Sequence, residues 1–126
     1  MIPKRVLVPD RLRRPPAQGF SWVDRRFLRD HAPALGRDAV LLYFFLAAVS
    51  DKDGLSFWSD AKTALSLKLE EAAVARARDE LVRRDLAAYA APLTQVLSLT
   101  ERRVERAGGN AEALGDILRR LTRGQP

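Results

Sequence analysis

The longest apolar run in the chain spans Ala39 to Val49, with Leu41, Leu42, Tyr43, Phe44, Phe45 and Leu46 in succession. It is only about half the roughly 20 residues a membrane-spanning helix needs, so it predicts a buried helix over Arg37 to Ser50. That helix is apolar almost all round and therefore requires cover on more than one side. Ahead of it, Phe20, Trp22, Phe27 and Leu28 mark a short accessory helix from Trp22 to Asp30, capped by Ser21 and stopped before Pro33. Behind it, Asp51, Lys52, Asp53 and Gly54 predict a turn, and Leu55 to Trp58 a short strand.

The pattern then changes to two polar-faced helices. Ser59 is placed to cap a helix running to about Ser66, and a tight turn around Lys68 leads into a longer helix from about Glu71 to Arg84. In the longer helix Val74, Ala77, Leu81 and in part Arg78 share one face. Two candidate strands follow, Leu86 to Tyr89 and Gln95 to Leu99, joined by Ala90, Ala91, Pro92, Leu93 and Thr94. A charged helix capped by Thr100 is expected up to about Ala107, before Gly108, Gly109 and Asn110 break it. A last amphipathic helix then carries Ala111, Leu114, Ile117, Leu118 and Leu121 on one stripe. The architecture expected is mainly α with a small β-hairpin, in three parts: an extended arm at 1–20, a folded domain at 21–99 and a helical tail at 100–126.

Charge alters this picture more than composition does. The chain carries a net charge of +6, which suggests a polyanionic partner. Residues 1–37 hold nine basic and three acidic side chains, residues 38–100 seven and nine, and residues 101–126 six and four. The arms are basic and the core is not. The first 19 residues combine Pro3, Pro9, Pro15 and Pro16 with Lys4, Arg5, Arg11, Arg13 and Arg14, the composition of an extended arm that can clasp phosphates or a minor groove.

Several chemistries have no support. The absence of cysteine removes disulfides and thiolate metal sites, and the single histidine, His31, cannot assemble a zinc site. His31 also lacks a nucleophile or acid at recognisable spacing, and Gly108-Gly109 is not followed by the Lys-Ser or Lys-Thr of a phosphate loop. The expectation is a protein without enzymatic activity or cofactor and with no small-molecule ligand evident. Pro9, Asp10 and Arg11 arrive before a signal-peptide core could form, so a cytoplasmic location is expected and no membrane partner.

Ala64, Leu67, Leu69, Val74, Ala77, Leu81 and Leu86 have the spacing of a helix-turn-helix: a small residue where two helices cross, leucines bracketing the turn, and the buried stripe of the second helix. With the hairpin that follows, the region from Arg37 to Leu99 resembles winged helix-turn-helix proteins such as bacterial transcriptional regulators. The segments 41–46, 53–58, 77–81 and 92–97 also look like those of a group of short, uncharacterised bacterial proteins of this architecture. The resemblance implies duplex DNA as partner, with Glu71, Ala72, Ala75, Arg76 and Asp79 of the second helix facing base edges and Arg83 on the same helix.

Among these only Arg76 is a good groove reader, and Glu70 and Glu71 oppose close approach of phosphates. Four-apart pairs Arg76–Glu80, Asp79–Arg83 and Glu80–Arg84 offer Arg76 a different role, in a solvated charge ladder. Lys62 and Lys68 flank the turn and are placed to grip phosphates, and Tyr89, Thr94 and Gln95 on the hairpin are placed to touch a minor groove or backbone. The alternative function is a protein-interaction or dimerisation module that retains the fold without reading bases. A homodimer would form through the apolar helix 37–50 or the C-terminal helix. Single-stranded nucleic acid ranks last, because most aromatics fall at expected core positions.

Overall fold

A computed structural model describes residues 2–100. Three α-helices, a short accessory helix of mixed π and 3-10 turns and a three-stranded antiparallel sheet enclose one core, while a 3-10 turn at Pro9–Arg11 in the arm buries no residue. Helix α1 (Arg37–Val49) is followed by β1 (Leu55–Ser56), α2 (Asp60–Leu67), α3 (Glu71–Arg83), β2 (Ala87–Ala90) and β3 (Leu93–Val96). The strands lie in the order β1-β3-β2, with Leu55 opposite Gln95 and Ala87 opposite Val96. This sequence of elements is compatible with a winged-helix-like topology. The expected C-terminal helices lie outside the described residues.

The core is the apolar run meeting the stripe of α3. Leu42, Tyr43 and Leu46 of α1 pack with Val74, Ala77 and Leu81 of α3, closed below by Leu86 and Ala87. Leu81 is fully excluded from solvent and Val74 and Leu86 nearly so, so truncating any of them leaves a cavity that the surroundings fill only in part. Between α2 and α3, Lys68 takes the left-handed conformation (φ 59°) and Leu69 N–H bonds Ala64 O at 3.0 Å. That cap turns the chain sharply while the half-buried Leu67 and Leu69 stay on the core.

Helix α1 is less completely covered than its composition requires. Leu41 is 37% and Phe44 36% exposed, so among the described residues one flank of the helix meets solvent. The accessory helix also differs from expectation. Its first turn begins at Arg25, and its body is a π-turn at Phe27–His31 followed by a 3-10 turn at Ala32–Ala34. Asp24 caps it, because its Oδ1 accepts from Arg26 N–H at 2.9 Å, while Ser21 Oγ donates instead to Ala48 O at 3.1 Å. The π-turn ends at His31, ahead of Pro33 as expected, and Pro33 sits within the separate 3-10 turn, where its missing N–H costs nothing. Only Phe27 docks deeply: it is wholly buried, stacked on Tyr43 at 3.7 Å, with His31 against it at 6.5 Å.

The hairpin is tighter than the spacing predicts. Ala90 pairs with Leu93, leaving a two-residue turn at Ala91-Pro92, and β3 starts two residues earlier than expected. The strand β1 is likewise shorter, ending at Ser56 because Phe57 and Trp58 turn out of the sheet. Gly54 is required at the preceding bend: its φ is +86° and an added Cβ would lie 2.7 Å from Val96 O.

Candidate nucleic-acid interface

The sequence-predicted residues on α3 do share one solvent-facing stripe. Ala72, Arg76, Asp79 and Arg83 are exposed and Ala75 is half-buried beside them, as the 3.6-residue period requires. The charge ladder does not form. Glu80 lies on the flank toward α1, where its Oε2 accepts from Gly36 N–H at 2.9 Å and thereby caps α1, and Arg84 donates to Ala34 O at 3.1 Å. A backbone donor at a helix start offers a carboxylate a fixed partner, whereas a four-apart pair on a solvated surface contributes only about 0.2–0.5 kcal/mol. Arg76 and Arg83 pair with no described residue and stand open on the stripe, with Asp79 between them. They border a groove of about 470 Å³ between α3 and the start of α1, which Arg37 also lines.

Lys62, in the first turn of α2, and Lys68, at the turn before α3, are both exposed. Ser59 caps α2 as expected, accepting from Lys62 N–H at 3.1 Å. On the hairpin Gln95 is exposed and Tyr89 partly so, but Thr94 is buried. The displaced β3 puts Thr94 in the central strand between Ser56 and Tyr89, so it has no surface to offer a nucleic acid. In the arm, Lys4, Arg5, Arg11, Arg13 and Arg14 are all exposed and none pairs with another described residue.

Two features of the described residues lie outside the motif reading. The first is a cluster tying α2, α3 and the hairpin together. Arg78 donates from Nη1 to Asp60 Oδ1 at 2.6 Å and from Nη2 to Oδ2 at 3.2 Å, and its guanidinium lies 4.0 Å over the Tyr89 ring. The Asp60 hydrogen bond, opposed by burial, raises the Arg78 pKa further above its ordinary range. The signal was present, since an arginine four residues after Val74 and three before Leu81 lies beside the buried stripe and needs a carboxylate there. The second is aromatic. Phe20, Trp22, Phe57 and Trp58 lie at the surface rather than in the core, at 68%, 76%, 70% and 43% exposure.

No helix among the described residues is long and apolar enough to cross a membrane. No group of three acidic, histidine or cysteine side chains there is arranged to hold a metal ion. No protein-family model matches the chain, and comparison with curated proteins and with solved structures finds no match.

Proposed function

We propose that this chain is a winged-helix DNA-binding protein, a regulator or accessory factor, that grips duplex phosphates with its basic arm while α2 and α3 serve as the docking platform. The observation that carries the reading is the open stripe on α3. In a fold whose element order suits a helix-turn-helix and wing, Arg76 and Arg83 stand on the solvent-facing stripe of α3, pair with no described residue, and border the groove toward the start of α1. Ala72 and Ala75 leave the helix slim enough to approach a groove, while Asp79 in the middle of the stripe and Glu70 and Glu71 at its start disfavour close phosphate contact. Binding therefore depends on electrostatics from the arm more than on base reading, and is steeply salt-dependent.

The test is titration of a labelled duplex at several salt concentrations. The expected result is an affinity that falls with salt by a log–log slope of about 0.9 per neutralised phosphate. An absence of binding even at low salt overturns the reading.

A second reading, a protein-interaction or dimerisation module, is favoured by the exposed apolar flank of α1 and the accessory helix, where Leu41, Phe44 and Leu28 (61% exposed) reach solvent. It predicts a concentration-dependent mass in light scattering that Phe44→Asp abolishes, with nucleic-acid affinity absent.

A further inference from the structure

Phe57 and Trp58 fill the link between β1 and α2. The register pairs Ser56 with Thr94, so the next residue, Phe57, leaves the sheet alongside Leu93 at the hairpin's turn end. This places both aromatics on the side of the molecule that carries the hairpin and the start of α2. Phe57 is 70% exposed and makes no ring contact with a described residue. Trp58 is held, because Phe45 of α1 meets its indole nearly perpendicularly (86°) at 5.0 Å while 43% of the residue stays open. A fixed ring with free surface is an aromatic platform of the kind on which bases stack.

The two aromatics border a groove of about 510 Å³ whose other walls include Val49, Leu55 and Lys62. Lys62 is exposed and pairs with no described residue. Asp51 also lines the groove, but its Oδ1 is taken by the Asp53 and Leu55 amides at 2.9 Å each. The groove thus combines a flat apolar surface with one unpaired cation, Lys62, and with the Asp51 carboxylate, whose charge persists although the two amides hold it in place. An apolar peptide would use only the first, and a bare phosphate only the second. An unpaired nucleotide uses both the surface and the cation.

We infer that this groove binds an unpaired base of a single-stranded DNA segment, stacked on Trp58 beside Phe57, with an adjoining phosphate on Lys62. The inference rests on the nucleic-acid reading above for its choice of partner, and the two fail separately. Binding of a strand here would let the protein hold duplex on α3 and an opened or overhanging strand beside it.

Trp22 and Trp58 are the two tryptophans, so the full chain carrying Trp22→Phe reports on Trp58 alone. Oligothymidylate of 12 nucleotides, titrated at low salt, is expected to quench that emission saturably. Phe57→Ala, a surface change, is expected to weaken this binding about 5- to 150-fold, the range of base–aromatic stacking. Lys62→Gln is expected to lower the salt slope by about 0.7, the contribution of one single-strand phosphate. Unchanged emission with oligothymidylate overturns the proposal, as does equal binding by the Phe57→Ala variant. Equal quenching by polyglutamate also overturns it, by showing a site for charge alone. Quenching by oligothymidylate without blunt-duplex binding leaves this site standing and removes the duplex reading. Duplex binding without quenching does the reverse.

Discussion

Removing the Arg78 side chain should be among the more damaging changes available on the outside of this fold. The Arg78→Ala change deletes two hydrogen bonds to Asp60 and the cation over Tyr89, at a site where the arginine side chain is 13% and the aspartate 31% exposed. Hydrogen bonds to charged groups are worth about 1.5–3 kcal/mol, and a partly desolvated cation over an aromatic ring about 1–2 kcal/mol. Against this, Arg78 Nε is buried with no acceptor, a cost in the native state that the substitution relieves. The net expectation is a loss of about 3 kcal/mol, with Asp60→Ala costing about 2 kcal/mol. A double-mutant cycle read by urea unfolding at 222 nm should give a coupling energy of about 1.5–2 kcal/mol. A coupling below about 0.5 kcal/mol, the level of an ordinary surface ion pair, would refute the claim that this pair fastens α2 to α3.

Other consequences are checked by the same unfolding measurements. Ser59→Ala removes the cap of α2 and should cost about 1 kcal/mol. Gly54→Ala meets both a positive φ and the Val96 carbonyl, and should cost about 2 kcal/mol or more, whereas Gly19→Ala, with open space around it, should cost less. Phe27→Ala empties the one deep contact of the accessory helix and should cost about 3–5 kcal/mol. The Arg26 side chain first, then its backbone N–H, lower the Asp24 pKa from 3.8 to about 2. Since the native carboxylate binds its proton less readily than the unfolded one, the stabilisation is present above pH 3.8 and is lost as pH falls toward about 2. Asp24→Asn should therefore flatten the acid limb of the stability profile in that window; an unchanged limb would mean the cap carries no native-state energy.

The helices were legible because periodicity dictates them. The stripe of Val74, Ala77 and Leu81 and the apolar run at 39–49 leave little freedom, and α1 and α3 fall within a residue of their expected ends. The hairpin was less legible. Ala87, Ala88, Ala90 and Ala91 carry almost no face preference, and register in a strand without strong alternation is set by the neighbouring strand, here β1 through Ser56 and Thr94. That long-range pairing is what buries Thr94. The accessory helix was misplaced by similar physics, because Ser21 and Asp24 are both good caps and the choice between them turns on Ala48, 27 residues away. Aromatic residues were assigned to the core by type, yet it is Phe27 that takes the buried place on Tyr43 of α1, while Trp22 and Phe57 stay at the surface. The candidate interface was legible residue by residue, but which charges are free on it depended on Glu80 finding Gly36 across the fold.

The central claim is a division of labour, with the arm gripping phosphates and α3 acting as the platform. It is tested most directly by comparing the salt slope of duplex binding in the native chain, in a variant with Arg11, Arg13 and Arg14 changed to alanine, and in Arg76→Ala. The account predicts a slope smaller by about 2.7 when the three arm arginines are removed, and by at most about 0.9 for Arg76. An arm variant that keeps the native slope, with binding lost in Arg76→Ala, would contradict it.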